Sequence, residues 1–262
     1  MTLPPQDAPI YVTPRGRAAV LVLNRPDKKN ALNLAMWDAI PALLKRALDM
    51  EGVRALIVAG AGRAFSAGAD IAEFETTYAT PEAAMANQTR MQAAMSALED
   101  FPLPTIAMID GVCIGGGCGL ALCCDLRFAA SHARFGITPA KLGLVYGIAD
   151  TRRLVQAVGL SAAKDILFSG RLIASDEAKA LRLVDRVVAE ELLVDETSAY
   201  VDGLGAASSF SARATKQVLV RLRAGATMDD DDSRVLFASA FDGADFREGF
   251  SAFQAKRQPR FE

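Results

Sequence analysis

Apolar positions along the chain change period several times, and each change predicts an element. IYVT and AAVLVLN are aliphatic and β-branched runs separated by Pro14–Gly16, which predicts a hairpin. From Asn33, a predicted N-cap, LAMWDAIPALLKRALDM places Trp37, Ile40, Leu44 and Leu48 at helical spacing, with Pro41 in its first two turns or bending it. RALIVAG, Arg54 to Gly60, is a short continuous apolar run and reads as a buried strand that ends in the loop GAGRAFSAGAD. A long helical segment follows from Pro81 to Phe101, stopped by Pro102 and Pro104.

TIAMID predicts the next buried strand, GVCIGG a turn, and GCGLALCC a helix buried on all sides. DLRFAA is another strand. DTRRLVQAV then opens a helix for which Asp150 is the expected N-cap, and Ser161 and Ser175 are expected to cap two more short helices. DRVVA is a last strand, and from Glu190 onward the pattern is helical. The expected organisation is an α/β core over residues 1–190 and a helical region over 191–262, packed together because no low-complexity linker divides them. The run Asp229–Asp232 is expected at a helix N-terminus rather than on a metal, because consecutive carboxylates point different ways.

Composition narrows the function classes. A chain of 262 residues that is 51% hydrophobic can bury a sizeable core. With 29 basic and 31 acidic residues it carries no broad field of one sign, which argues against nucleic acid or an anionic membrane as partner. The opening MTLPPQDAPIYVTPRG lacks the pattern of a secretory signal, and the longest stretch without a charged residue in the glycine region, Gly111–Cys124, is shorter than the ~20 residues that span a bilayer. A cytoplasmic protein is expected. All four cysteines, Cys113, Cys118, Cys123 and Cys124, fall in that stretch at no zinc spacing and read as small core residues, so no metal site is expected.

The glycine stretch IGGGCGLALCCD is the most informative segment. It follows a strand and opens a helix, but from Gly117 the sixth position is Leu122 rather than glycine, and no G-K-[ST] follows, so neither nucleotide-binding template fits. What remains is a helix start whose free amides can face an anion, or a helix packed closely on a sheet. AFSAGADI, Ala64 to Ile71, is a second strand end followed by small residues. Two such loops can each turn one N–H toward a single oxygen.

NRPDKKNALN, AFSAGADI, GVCIGGGCGLALCCDLRFAA, ARFGITPAKLGL and EGFSAFQAKRQPRF together resemble the crotonase, or enoyl-CoA hydratase/isomerase, superfamily over nearly the whole chain. That resemblance implies a spiral of ββα units forming two near-perpendicular sheets. It also implies a helical C-terminal trimerisation region, with trimers or dimers of trimers as the assembly. The implied ligand is an acyl-CoA thioester, with coenzyme A as part of the substrate and no cofactor bound permanently. Motif by motif, the implied oxyanion donors are the amides of Ala69 and Gly116. Lys28, Lys29, Ala31, Asp70 and Ile71 are implied at the coenzyme A site, and Phe253 and Lys256 are implied as a neighbouring copy's contribution to it.

The chain also departs from that pattern. The two glutamates with which the well-known hydratases add water correspond here to Gly119 and Pro139. ITPAKLGLVYG instead resembles the methylmalonyl-CoA decarboxylase branch, which places a tyrosine where Tyr146 stands. Three functions therefore stay open. One is a lyase or isomerase that stabilises a thioester enolate, with Tyr146 orienting a carboxylate or relaying a proton, or with Asp150 as base for moving a double bond. The second is a hydratase with other acid–base groups, and the third is a non-catalytic coenzyme A-binding homologue. Glu73 and Glu75, which a helix after the first loop could turn inward, are expected to be solvated, His132 to be structural or at the surface, and Asp125 and Arg127 to form core hydrogen bonds.

Overall fold

A computed structural model describes residues 8–261, so the first seven residues of the opening segment lie outside the described residues. Strands β1 (Ile10–Arg15) and β2 (Ala18–Leu23) form the expected antiparallel hairpin. The first strand runs through Pro14 to Arg15, so the turn sits one step later than Pro14–Gly16 implies. Helix α1 (Leu34–Leu48) is capped by Asn33, whose side chain accepts from the Met36 amide at 3.0 Å, and it continues through Pro41. Trp37, Ile40 and Leu44 are buried, whereas Leu48 in the last turn is 43% exposed.

Strand β3 (Ala55–Gly60) leads through a loop to the short helix α2 (Phe74–Thr77) and the long α3 (Pro81–Glu99). After β4 (Thr105–Ile109), the segment expected to be only a turn contains a three-residue strand, β5 (Val112–Ile114). Its partners explain it: β5 pairs in parallel with β7 (Arg134–Gly136), and local propensity alone would not make three residues a strand. Between them lie α4 (Gly116–Leu122) and β6 (Leu126–Ala130).

Helix α5 (Ile148–Ser169) is interrupted at Gly159, whose φ of 77° and ψ of 165° are non-helical. Its N-cap is Gly147, and Asp150 is the third helical residue rather than the cap. Ser161 therefore follows the interruption inside α5. Next come β8 (Leu172–Ala174), which pairs with β7, and α6 (Ser175–Ala180). Ser175 is the first residue of α6, with Ala174 at the cap, and its hydroxyl donates to the Ser131 carbonyl. Strand β9 (Arg186–Val188) closes the α/β part. Helices α7 (Leu193–Leu204), α8 (Ser209–Arg223), α9 (Asp231–Ser239) and α10 (Ala244–Gln254) follow, and Asp230 caps α9 through the Ser233 amide.

The strands form a six-stranded sheet in the order β1-β2-β3-β4-β6-β9 and a three-stranded sheet in the order β5-β7-β8. From β4 to β7 the strands alternate between the two: β4 enters the large sheet and β5 the small one, then β6 and β7 repeat the step. Both faces of the large sheet are covered, which is why its strands read as continuous apolar runs. Leu21, Leu56, Val58 and Ala107 pack with α1 and α3, while Val20, Ile57, Ile106 and Phe128 pack with Leu193 and Val201 of α7.

The C-terminal helices are tied to this core by charge as well. Lys216 of α8 donates to Asp125 at 2.7 Å and to the Leu103 carbonyl at 3.1 Å. Asp125 also accepts from the amide and hydroxyl of Thr105. Arg127 donates to the carbonyls of Leu183 and Cys124 and pairs with Asp185, so both residues serve the expected core hydrogen bonding. Replacing Lys216 with Met keeps the apolar stem and removes two donors. Because Asp125 is partly solvated and keeps Thr105, urea denaturation should show a loss of about 1–2 kcal/mol.

Candidate functional site

The loop after β3 is built before it reaches any cavity. Ser66 and Cys113 form an isolated parallel bridge, in which the amides of Phe65 and Ser66 donate to the Val112 carbonyl and the amide of Ile114 donates to the Ser66 carbonyl. Counting forward from that bridge, Ala69 is three residues beyond Ser66 and Gly116 is three beyond Cys113. The register thus brings the two loops side by side, and a Cβ built on Gly116 would stand 3.9 Å from the Ala69 nitrogen.

A second parallel bridge, Leu32 with Ala69, aims the Ala69 amide. The Leu32 amide donates to the Gly68 carbonyl and the Asp70 amide to the Leu32 carbonyl. Residues on either side of Ala69 are therefore bonded to the Leu32 strand, which turns Ala69's own N–H the other way. Among the described residues that N–H has no hydrogen-bond partner, and neither has the N–H of Gly116, the first residue of α4. Both residues line one cavity of about 380 Å3. Two unpaired amides at the wall of a largely apolar cavity can bind an oxygen that gains negative charge during a reaction.

Glycine is needed here by geometry. Gly68 has a φ of +98°, and a Cβ on it would approach the Ile114 carbonyl oxygen to 2.9 Å. Gly117 lies where the first turn of α4 crosses the other loop, and a Cβ there would meet the Ser66 side chain at 2.6 Å. Ser66 cannot yield easily, because its hydroxyl donates to the Asn30 carbonyl at 2.9 Å and accepts from the Gly68 amide at 3.1 Å. Asn30 is fully buried and stitches the same region, donating to the carbonyls of Ala61 and Ala64 and accepting from the Arg25 amide.

Tyr146 and Asp150 both line the cavity. The Tyr146 hydroxyl donates to the Gly115 carbonyl at 3.1 Å, one residue before the free Gly116 amide. Burial pushes the phenol well above its ordinary range, with Cys118 and Asp150 adding to the effect, so it remains a protonated donor. Asp150 is 9% exposed; its Oδ2 accepts from Gln92 at 2.8 Å and its Oδ1 from Arg153 at 3.1 Å. Among the described residues it is the only carboxylate lining this cavity. A second cavity of about 250 Å3 shares Tyr146 and Asp150 and runs past Met85, Gln88 and Val145.

The space at Gly119 is already taken. A Cβ there would lie 3.0 Å from the Met95 methyl and 4.0 Å from the Tyr146 hydroxyl, and Pro139 lines the cavity without an acid. Glu73 is not simply solvated as expected: its carboxylate accepts from the Leu34 amide at 2.8 Å and helps to start α1. Glu75 is exposed. His132 contacts Asp110 at 2.9 Å and Glu190 at 3.5 Å, away from the cavity lining. The four cysteines are buried and free, and burial pushes the Cys124 thiol up to about 12, which suits core residues.

The residues implied for coenzyme A gather in part. Arg25, which sequence reasoning passed over, donates to Asp70 at 2.6 Å and to the Ala31 carbonyl at 2.7 Å, and Lys28 reaches Asp70 at 3.4 Å. Burial raises the Asp70 pKa, but hydrogen bonds from Arg25 and the Ala72 amide outweigh it, and the net shift is downward. Lys29 contributes its carbonyl to the Ala67 amide, and Ile71 is 77% exposed on the cavity rim. Phe253 and Lys256 lie at the C-terminal end of α10 and are not among the cavity-lining residues. No helix of the described residues is long and apolar enough to cross a membrane, and none of their His, Cys, Asp and Glu side chains group as a metal site.

Two measurements check this construction. Gly117→Ala should cost at least about 2 kcal/mol in denaturant unfolding, whereas Gly119→Ala should cost less than about 1 kcal/mol because a methionine methyl can move. Equal costs would contradict the rigid Ser66 wall. Asp70→Asn should be less stable than wild type above about pH 4. A lowered carboxylate pKa stabilises the fold above the unfolded pKa, so the difference between the two proteins should disappear as pH falls through the folded value.

Comparison with known proteins matches this geometry to a family. The sequence profile described as enoyl-CoA hydratase/isomerase matches residues 15–262. An enoyl-CoA hydratase/isomerase family protein of known structure from Hyphomonas neptunium is 43% identical, with a TM-score of 0.95 over 98% of each chain. An enoyl-CoA hydratase/carnithine racemase from Magnetospirillum magneticum superposes with a TM-score of 0.92 at 36% identity, covering 97% of this chain and 96% of that one. The 2,3-dehydroadipyl-CoA hydratase of Escherichia coli is 34% identical over 96% of this chain and 98% of its own length. The chain belongs to the enoyl-CoA hydratase/isomerase family, with the crotonase fold, whose members are enzymes acting on acyl-CoA thioesters.

Proposed function

We propose that this enzyme forms and quenches a thioester enolate, and that its reaction is the movement of a double bond in an enoyl-CoA. In this reading the thioester oxygen sits between the amides of Ala69 and Gly116. Asp150 takes a proton from the α-carbon of a 3-enoyl chain, the electrons pass into the thioester as a dienolate, and the same carboxylic acid returns the proton to the γ-carbon. The product is the conjugated 2-enoyl thioester, with no atom gained or lost. One carboxylate is enough for such a shuttle.

The observation that carries the reading is that Asp150 is, among the described residues, the only carboxylate on the cavity that both free amides line. The donors bind the oxygen more strongly as it becomes anionic, and losing one such donor costs ~3 kcal/mol in a well-studied case. Tyr146 supports them from behind through the Gly115 carbonyl. A decarboxylase would use the same amides without a base, but Asp150 would repel a carboxylate on the substrate, and the Tyr146 hydroxyl is already engaged. Arg25, Lys28, Lys29, Ala31, Asp70 and Ile71 form the proposed coenzyme A edge. Phe253 and Lys256 act there from a neighbouring copy in a trimer or dimer of trimers, a role supported by the exposed Phe237, Phe250 and Phe253 on α9 and α10.

Hydration is the second reading, favoured by the names of relatives such as the Escherichia coli hydratase and an enoyl-CoA hydratase-named protein of Thermus thermophilus, 37% identical over 94% of this chain. It requires Asp150 to activate water without the two family glutamates. A panel of 3-hexenoyl-CoA, crotonyl-CoA, malonyl-CoA and methylmalonyl-CoA, followed by absorbance and mass spectrometry, separates the readings. Conversion of 3-hexenoyl-CoA to its conjugated isomer is expected, falling about 100-fold or more in Asp150→Asn and about tenfold in Tyr146→Phe. Gain of water by crotonyl-CoA without isomerisation would assign a hydratase, and loss of CO2 surviving Asp150→Asn a decarboxylase. Binding without turnover of any of them would leave a coenzyme A-binding protein.

A further inference from the structure

Behind Asp150 lies a buried charge network that the cavity itself does not require. Arg153 follows Asp150 by three residues on α5, so the two share one helix face. Its side chain is 2% exposed and divides its donors. Nη1 reaches Asp150 Oδ1 at 3.1 Å and Gln92 Oε1 at 3.0 Å, while Nε and Nη2 reach Glu99 Oε2 at 3.2 and 2.9 Å. Gln92 closes the ring by donating to Asp150 Oδ2. Glu99, nearly buried near the end of α3, is also met by Arg152 at 3.3 Å and by Arg223 of α8 at 2.9 Å.

A buried guanidinium must be paired, and Glu99 alone would satisfy that need. The fork of Arg153 is nonetheless shared with the carboxylate that faces the cavity, and Gln92 holds that carboxylate's other oxygen. We propose that Arg153 is a positioning residue that fixes the orientation of the Asp150 carboxylate, with Glu99 anchoring the guanidinium from behind. The inference rests on Asp150 being the base. Arg153 touches no cavity wall, so its effect passes through Asp150.

The test measures kcat and KM for 3-hexenoyl-CoA in the intact protein. Arg153→Gln should lower kcat about tenfold or more with KM changed by less than about twofold, because the thioester site is untouched and only the base is misaligned. Unchanged kcat, or kcat and KM changing together, overturns the inference. Should Arg153→Gln fail to fold, Arg153→Lys keeps the cation and loses the fork, and kcat should again fall about tenfold at unchanged KM. Asp150→Asn separates the two levels. Full isomerisation in that variant removes Asp150 as base, whereas its loss together with unchanged kcat in the Arg153 variants removes only the role of Arg153.

Discussion

The parallel bridge between Ser66 and Cys113 is the constraint on which the rest of the site depends. Parallel pairing advances both chains in the same direction, so a register set at one pair is inherited by residues a few positions on. Ala69 and Gly116 are equally far beyond the bridge, and their amides reach the same cavity without any side chain to bring them there. The second bridge, Leu32 with Ala69, adds direction to position. A slip of one residue in either pairing would present a different amide, which explains why buried groups crowd this loop: Asn30 and Ser66 use nearly all their hydrogen-bonding capacity on its carbonyls and amides.

The same crowding limits what chemistry the site can host. The helix that follows Gly116 packs its first turn against Ser66 and its next residues against Met95. At Gly119 the volume that a longer side chain would enter is held by the Met95 methyl, with the Tyr146 hydroxyl beyond it. Absence of an acid there is thus part of a packed arrangement rather than a hole in the wall. The cavity's one carboxylate among the described residues arrives instead from the first turn of α5, the helix that starts at the Gly147 cap.

Much of this was legible in the sequence because it depends on local pattern. Asn33 as a cap, the buried runs of β3 and β4, the proline stop after α3 and the all-apolar α4 follow from residue type and spacing within a few positions. Strands β5, β7 and β8 did not, since three residues acquire strand geometry only from partners 20 to 40 positions away. Asp150 reads as a cap because it precedes a helical pattern. Its actual place, three residues beyond the cap, depends on Gly147 starting the helix earlier than the polar run suggests. Arg25 was invisible for a related reason: its role is to join Ala31 and Asp70 across a loop, and no spacing rule announces that. The family motifs, by contrast, point to the same two residues whose amides are left free on the cavity, because such motifs encode loop geometry that is held by backbone pairing.

A carboxylate that faces a cavity can act on what the cavity holds only if its oxygens are held in place. At Asp150 each oxygen has its own donor: Oδ1 accepts from Arg153 and Oδ2 from Gln92, while the remaining donors of Arg153 are anchored on Glu99. Glu99 in turn is also met by Arg152 and by Arg223 of α8. The docking of the C-terminal helices on the core therefore reaches, through three consecutive ion pairs, the carboxylate that faces the two free amides.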